Sequence, residues 1–490
     1  MLCLSLMGNS IKNNLATFKQ HQNIIDIVEL RLDMLEDPLK IPPINIRQMF
    51  SVPIIITFRR EIDGGNFGGS EKYRKSVLNE FAKIKFDYID LEIDTCFTDV
   101  ESRALSLGIQ IIRSYHNFKN VPANLESIIR SLSSRSGEIP KAAVFPANST
   151  EALRLFKVID SIKDIKQKII LGMGKYGIPS RILYAKLGSM LSFCSIKDKS
   201  AAPGQLSPEE MIYLYHVKKI SKSTQVFGII GNPVMHSLSP ELHNSAYERA
   251  GIDAVYVPFH VDNLSTFFRL AELLNISGFS VTIPHKIKVL DYLDVKSPEI
   301  NSIKSCNTVY KEGKLWKGYN TDFNGFLSPL LPLVDKLNIE KCAVIGAGGA
   351  ARAIISALQS INLNITLFNR SRDNGTKLAV ETGISFYPLS DAQGFNEFKL
   401  IVQTTSVGMY PFLDKTPVPE YHFHEGQIVY DIIYNPVKTK LLIEAEKDGA
   451  IIINGLQMLK AQGSIQFEIF TGQPFPIASK KLIEEQKENS

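Results

Sequence analysis

Eight short β-rich runs punctuate the first 220 residues of the chain, each separated from the next by a longer segment. They are Leu2–Leu6, Ile24–Leu32, Ile54–Phe58, Tyr88–Ile93, Gln110–Tyr115, Lys141–Phe145, Lys168–Leu171 and Phe193–Ile196. Thr98–Leu107, Leu125–Leu132 and Thr150–Ile162 read most clearly as helices. Parallel strands need long crossover connections, which helices supply, so strict alternation predicts an α/β fold with a parallel sheet. Eight units suggest closure into a (β/α)8 barrel, with an open doubly wound sheet as the competing architecture.

A chain of 490 residues exceeds what one core accommodates. The polar stretch Lys218-Lys-Ile-Ser-Lys-Ser-Thr224 precedes a fresh strand, Val226–Ile230. We therefore expect a barrel over residues 1–220 and a linker at 221–225. Two lobes follow: one over 226–325, completed by 455–490, and a Rossmann-type nucleotide-binding lobe over 326–454. The net charge of +5 is too small to argue for nucleic acid. Five scattered cysteines show neither a disulfide framework nor zinc spacing, which favours a reducing compartment. The apolar start, Met1 to Gly8, is short and lacks a basic leader and a cleavage site, so it reads as a first strand. No run approaches the ~20 apolar residues that cross a bilayer. These features point to a cytoplasmic protein that acts on small molecules, with no nucleic acid, membrane or metal partner. They leave the oligomeric state open.

In a parallel barrel, reacting groups stand at the C-terminal strand ends, so polar residues within apolar strands are the candidates. Val28-Glu-Leu-Arg-Leu-Asp33 alternates charged and aliphatic residues, which puts Glu29, Arg31 and Asp33 on one face. Arg59 ends the third run, His116 the fifth, and Lys141 lies on the sixth. Each alone is more often a solvated charge or a structural hydrogen-bonding residue. Together, on successive strands, they outline a site. An inward lysine near other cations has a lowered pKa and an amine nucleophilic toward a carbonyl. A histidine can move protons for the resulting imine, and arginines can hold a carboxylate.

These stretches, with Leu4-Ser-Leu-Met-Gly8, Ser114-Tyr-His-Asn-Phe118, Ser180-Arg181 and Ala202-Pro-Gly-Gln205, resemble the type I 3-dehydroquinate dehydratases. The likeness covers nearly the whole first half. It implies that Lys141 forms an imine with the substrate ketone. It implies that His116 removes the C2 proton, assists loss of the C1 hydroxyl, and helps the imine form and hydrolyse. Ser5, Glu29, Arg31, Arg59, Arg181 and Gln205 would hold the substrate. In two places the chain departs from the family. Ala201 stands where a serine is usual, with Ser200 one place earlier, and Asp63 stands where Glu often precedes Gly64-Gly65. The barrel is expected to begin almost at Met1, with no extra element beneath it.

In the second half, Gly346-Ala-Gly-Gly-Ala-Ala351 follows an apolar run and opens a helical stretch, Ala350–Leu358. Such a turn lets backbone N–H groups approach a pyrophosphate at a helix N-terminus, which makes Gly346, Ala347, Gly348, Gly349 and Ala350 candidate contacts. The pattern alone is weak, but a strand before it and a helix after it are the confirming context. Asn369, Arg370, Ser371 and Arg372 then stand where an NAD enzyme carries an acid for the ribose hydroxyls. Arginines there suggest a 2′-phosphate and hence NADP. Gly231 to Asn244 gathers hydroxyls, amides and imidazoles, and the neighbours of His236 and His243 are not metal ligands. Lys286 and Asp322, taken singly, read as surface charges.

These segments resemble the shikimate dehydrogenases end to end, together with Ser305-Cys-Asn-Thr-Val309, Thr404-Thr-Ser-Val-Gly-Met409, Asp431-Ile-Ile-Tyr-Asn-Pro436 and Asn454-Gly-Leu-Gln-Met-Leu459. The resemblance implies that Ser237, Ser239, Thr282, Asn307, Tyr434 and Gln462 bind substrate. It makes Lys286 and Asp322 an acid–base pair, and it adds Thr404, Ile432 and Gly455 to the cofactor contacts. Gln403 replaces the usual Asn before the threonines, a change expected to matter little. The two resemblances support each other. Dehydration of 3-dehydroquinate gives 3-dehydroshikimate, which the second half would reduce to shikimate with NADPH. A catabolic quinate-oxidising dehydrogenase fused to the same dehydratase is one alternative, and Ser237, Ser239 and the arginines weigh against it. A non-catalytic metabolite-binding regulator is another. The presence of Lys141, His116, Lys286 and Asp322 weighs against that.

Overall fold

The computed structural model describes residues 1–134, 137–196, 202–419 and 421–476. The chain divides into two compact units, Met1–Val226 with Asp253–Ile276, and Phe227–Ile252 with Ser277–Ser490.

The first unit contains strands β1 (Leu2–Leu6), β2 (Ile27–Arg31), β3 (Ile54–Thr57), β4 (Tyr88–Glu92), β5 (Gln110–Asn117), β6 (Glu138–Val144), β7 (Ile169–Gly172) and β8 (Ser192–Cys194). They form one sheet in the order β7-β6-β5-β4-β3-β2-β1-β8, with every neighbouring pair parallel. This is a nearly closed eight-stranded barrel. Its strands are buried along almost their whole length, as a sheet covered by helices requires. The helices start where the sequence supplies caps. Ser10, Ser70 and Asn148 accept the backbone N–H of Asn13, Tyr73 and Glu151, each worth about 1 kcal/mol. Helix Leu125–Ser133 turns Leu125, Ile129 and Leu132 inward at helical spacing.

The expected linker at 221–225 is not a free tether. Thr224 is buried and its hydroxyl donates to Asp253 Oδ1 at 2.7 Å. The Lys186 ammonium donates to the carbonyls of Lys222 and Thr224 at 2.8 and 2.9 Å. The next strand already begins at Gln225.

In the second unit, strands Gln225–Gly231, Ile276–Val281, Thr308–Glu312, Leu315–Tyr319 and Val295–Lys296 lie side by side in that order. Another sheet runs Ser385–Pro388, Asn364–Asn369, Lys341–Ile345, Leu400–Gln403, Ile428–Asp431, Ile451–Ile453, all parallel. Numbered along the chain, that order is 3-2-1-4-5-6, the Rossmann arrangement. Alternate residues feed opposite cores. Cys342, Val344, Leu400 and Val402 enter one, Ala343, Ile345, Ile401 and Val429 the other, so both faces are covered. Helix Leu456–Thr471 packs on helix Asp322–Leu337. A Cβ on Gly325 would lie 2.7 Å from Gln462 Cβ, so this close crossing requires a glycine. Among the described residues no helix is long and apolar enough to cross a membrane.

Candidate active sites

The β5–β6 register pairs Ser114 with Lys141 and His116 with Ala143. The period-two alternation then turns Ser114, His116, Lys141 and Ala143 to the same face. A cleft opens there, and Glu29, Arg31, Arg59, His116, Lys141, Arg181 and Gln205 all line it. Ser5 does not. Its buried hydroxyl donates to Glu29 Oε2 at 2.8 Å, while Thr57 Oγ1 donates to Oε1 at 3.0 Å, so both brace Glu29 from behind. Arg31 is held by Asp33 through two bonds of 2.9 and 2.6 Å.

The surroundings of Lys141 differ from the sequence expectation. Its nearest charges are carboxylates rather than cations, Asp90 Oδ2 at 2.8 Å and Glu29 Oε1 at 3.8 Å. Arg59 reaches across the same floor to Asp90 at 2.7 Å, Glu92 at 2.8 Å and the Ser114 hydroxyl at 2.9 Å. Burial alone would raise the Asp90 pKa, but Arg59 and Lys141 hold it far below the usual carboxylate range. The His116 imidazole is driven well below its ordinary pKa by burial and then by Arg59 and Lys141. It is therefore neutral and able to take a proton. Its Nδ1 is shielded and has no hydrogen-bond partner among the described residues.

Arg181 stands apart from this network. It is buried, its Nε has no partner among the described residues, and burial draws its pKa down to about 10. A desolvated guanidinium without a counter-charge is a site for an anion. Asp63 and Gly64 also line the cleft. Burial raises the Asp63 pKa against the pull of Arg60, which donates to it at 2.7 Å. Gly64 has φ +78°, and a Cβ there would lie 2.1 Å from the Phe118 ring. Ser200 and Ala201 lie outside the described residues.

In the second unit, Lys286 donates to one oxygen of Asp322 and Asn307 Nδ2 donates to the other at 2.8 Å. Asn307 also donates to Thr321 Oγ1 at 2.9 Å, and Gln462 Oε1 lies 3.4 Å from Asn307 and 3.3 Å from Thr321. The Cys306 N–H fastens the Lys286 carbonyl at 2.8 Å. Ser237 and Ser239 have their hydroxyls 3.2 Å apart. Tyr434 is hydrogen-bonded to Ser237, and burial raises its phenol pKa. Thr282 follows strand Ile276–Val281 and bonds through its N–H to the Ile230 carbonyl at 2.9 Å.

The glycine-rich turn sits against this cluster. Gly346 has φ +113° and its absent Cβ would lie 2.5 Å from Thr404 Oγ1. A Cβ on Gly349 would lie 2.6 Å from that of Lys286, so the N-terminus of helix Gly349–Ser360 abuts the lysine. A Cβ on Gly348 would meet nothing within 4 Å, which leaves room in front of the helix N-terminus. Gly455 approaches the Ile432 carbonyl so closely that a Cβ would lie 1.9 Å away. Ser371 caps helix Arg372–Thr382, and Asn369 Nδ2 donates to the Ser371 carbonyl at 2.8 Å. Arg370 and Arg372 are exposed beside them. An uncapped helix N-terminus at Gly349, with two exposed arginines after the neighbouring parallel strand, fits a dinucleotide that carries a further phosphate. Gln403 is buried. It accepts the Thr405 N–H at 2.9 Å and donates to the Val407 carbonyl at 3.0 Å, bracing the turn after Thr404.

Asp90, Glu92 and Thr321 are the neighbours that sequence reasoning missed. Tyr88-Ile-Asp-Leu-Glu92 carried a usable signal, since it alternates acid and aliphatic as Val28–Asp33 does.

The family model described as Type I 3-dehydroquinase matches residues 2–222, and that of the shikimate dehydrogenase substrate binding domain matches residues 229–309. The chloroplastic bifunctional 3-dehydroquinate dehydratase/shikimate dehydrogenase of Arabidopsis thaliana is 33% identical over 506 residues, covering 97% of this chain and 83% of that one. The shikimate biosynthesis protein AroDE of Chlamydia pneumoniae is 29% identical over 474 residues, 96% of this chain and 95% of that one. A crystal structure of shikimate dehydrogenase in complex with NADP+ aligns with a TM-score of 0.51 and 37% identity, over 55% of this chain and 97% of that one. Because one relative spans both halves at once, the chain is assigned as a whole: it belongs to the bifunctional 3-dehydroquinate dehydratase/shikimate dehydrogenase family.

Proposed function

We propose that the first unit dehydrates 3-dehydroquinate through a Schiff base on Lys141, and that the second reduces the product to shikimate with NADPH. The observation that carries the reading is the pairing of Lys141 with a neutral His116 in one cleft, beside Arg181, which has no counter-charge among the described residues. In this reading Arg181 holds the substrate carboxylate, and Glu29, Arg31, Arg59 and Gln205 orient the hydroxyls. The Lys141 amine attacks the ketone, whose oxygen departs as water. His116 takes the C2 proton, and the C1 hydroxyl leaves as a second water on receiving a proton. Hydrolysis of the imine consumes one water and returns the free lysine, so the net change is loss of one water.

In the second unit, Lys286 and Asp322 protonate the carbonyl oxygen while Asn307 fixes the Asp322 carboxylate. Ser237, Ser239, Thr282, Tyr434 and Gln462 hold the substrate hydroxyls and carboxylate. NADPH, when bound, supplies the hydride. The turn Gly346 to Ala350, with Thr404, Ile432 and Gly455, would cradle it, and Asn369, Arg370, Ser371 and Arg372 would face its 2′-phosphate.

The test supplies 3-dehydroquinate and NADPH together and follows 3-dehydroshikimate and NADPH oxidation separately. Borohydride added with 3-dehydroquinate should leave an adduct on the peptide containing Lys141. A stable adduct on another peptide, or none, refutes the Schiff-base assignment.

A further inference from the structure

Arg181 rides on helix Gly174–Ile182, whose local chemistry does little to hold it. The helix has nine residues, Met173 provides no side-chain cap, and Pro179 interrupts its interior. Helices this short are marginal alone, so its position is set by what it is fastened to. At one point Gly177 lies directly on Gly172, where a Cβ would come within 2.3 Å of the Gly172 carbonyl carbon. At another the Gly174 N–H donates to the Pro203 carbonyl at 2.8 Å, which ties the helix to the loop that carries Gln205.

Beside the bond from the Gly172 N–H to Ser180 Oγ at 2.7 Å, a further fastening comes from far along the chain. The Tyr176 hydroxyl donates to Asp262 Oδ2 at 2.9 Å. The other oxygen, Oδ1, accepts the Ser149 N–H at 3.2 Å, at the start of helix Ser149–Ser161, and the Ser149 hydroxyl accepts the Asp262 N–H at 3.1 Å. One carboxylate thus joins the first turns of two barrel helices. The Tyr176 ring also meets His260 edge-on, with centroids 4.8 Å apart. The bonds to Ser149 and Tyr176 hold the Asp262 pKa down although burial would raise it. Asp262 lies within the stretch matched by the shikimate dehydrogenase substrate-binding model, residues 229–309. Asp253–Ile276 nevertheless packs with the barrel as part of the first unit.

We propose that Asp262, through Tyr176, is a positioning residue for the dehydratase: it fixes the helix that presents Arg181 and abuts the Gln205 loop. A residue of the dehydrogenase-matched sequence thereby completes the substrate grip of the other reaction. This rests on the dehydratase reading above.

The test uses the full chain with Tyr176→Phe, Asp262→Ala and Asp262→Asn. Tyr176→Phe keeps the ring contact with His260 and removes only the hydroxyl. Tyr176→Phe and Asp262→Ala should each raise KM for 3-dehydroquinate about five- to tenfold, the scale of one ordinary intramolecular hydrogen bond, with kcat changed less than about twofold. The double variant should be no worse than the worse single one. Asp262→Asn, which can still bond both partners, should recover most of the affinity. Reduction of added 3-dehydroshikimate should be unchanged in all three, which shows that the chain is folded. Unchanged KM in Tyr176→Phe, or penalties that multiply in the double variant, overturns the proposal. Loss of both activities together in Tyr176→Phe and Asp262→Ala does so as well, because it shows a general structural role. An unmodified chain that fails to dehydrate 3-dehydroquinate overturns the dehydratase reading itself.

Discussion

Lys141 sits on a barrel floor where Asp90, Glu92, Glu29 and Arg59 interlock, whereas Lys286 meets one carboxylate, Asp322, that is otherwise held by the neutral amide of Asn307. The first site is a lattice of buried ions and the second is a single ion pair in a setting of amides and hydroxyls. Removing one member of a buried ionic network strands its partners, at about 3–5 kcal/mol for a broken pair. Loss of one group from the second site leaves neutral neighbours that can turn or take up water. Electrostatic injury should therefore spread in the barrel and stay local in the second unit.

The comparison breaks most visibly at the lysines. Lys141→Ala should lower dehydration by more than about 10⁴-fold, because the covalent route is lost, while reduction of added 3-dehydroshikimate continues. If reduction fell in parallel, the two activities would not be separable as described. Lys286→Ala should reduce kcat for reduction by about 10²–10⁴-fold, the usual weight of a positioned proton donor, and leave dehydration intact. A change confined to KM would make Lys286 a binding residue instead.

A smaller effect sharpens the picture of the exposed arginines. Arg370→Ala should shift the preference for NADPH over NADH by about ten- to a hundredfold, read as the ratio of the two kcat/KM values. An unmodified chain that used both cofactors equally would refute the assignment. The smallest expected change is in the pH profile of dehydration. Burial and the neighbouring cations depress the His116 pKa, so lowering the pH from 8 to 6 removes less of its unprotonated form than it would from an ordinary imidazole. Any loss of kcat/KM that this group causes should be smaller than the about fourfold that an ordinary imidazole of pKa ~6.5 would show over that range. A midpoint near 6.5 would mean that His116 is not held as the structure shows.

Much of this was legible in the residues. All eight barrel strands and the Rossmann turn follow from period-two runs and glycine placement, with ends off by a few residues. The second run begins at Ile27 rather than Ile24, because the Ile24 N–H closes a turn onto the His21 carbonyl at 2.9 Å. Periodicity could place Lys141 on an inner face, but it could not say that Asp90, 51 positions away, would meet it. That contact depends on strand register, which only the closed arrangement fixes. The place of Ser5 was hidden for the same reason. Its side chain points inward, but Glu29 intercepts its hydroxyl. Gln403 appeared incidental because its role is to satisfy two backbone groups, and a sequence does not display where backbone groups need partners.

Arg181 also has a consequence for how the protein responds to its medium. With no counter-charge among the described residues, the ligand-free barrel keeps a desolvated cation in its interior, a strained arrangement that any well-fitting anion relieves. Ligand binding and folding are therefore thermodynamically linked in this half of the chain, and the melting point of the barrel should climb with the concentration of a small carboxylate that enters the cleft. In the proposed reading the substrate carboxylate would be the partner of Arg181, so substrate itself should stabilise the barrel in the same way.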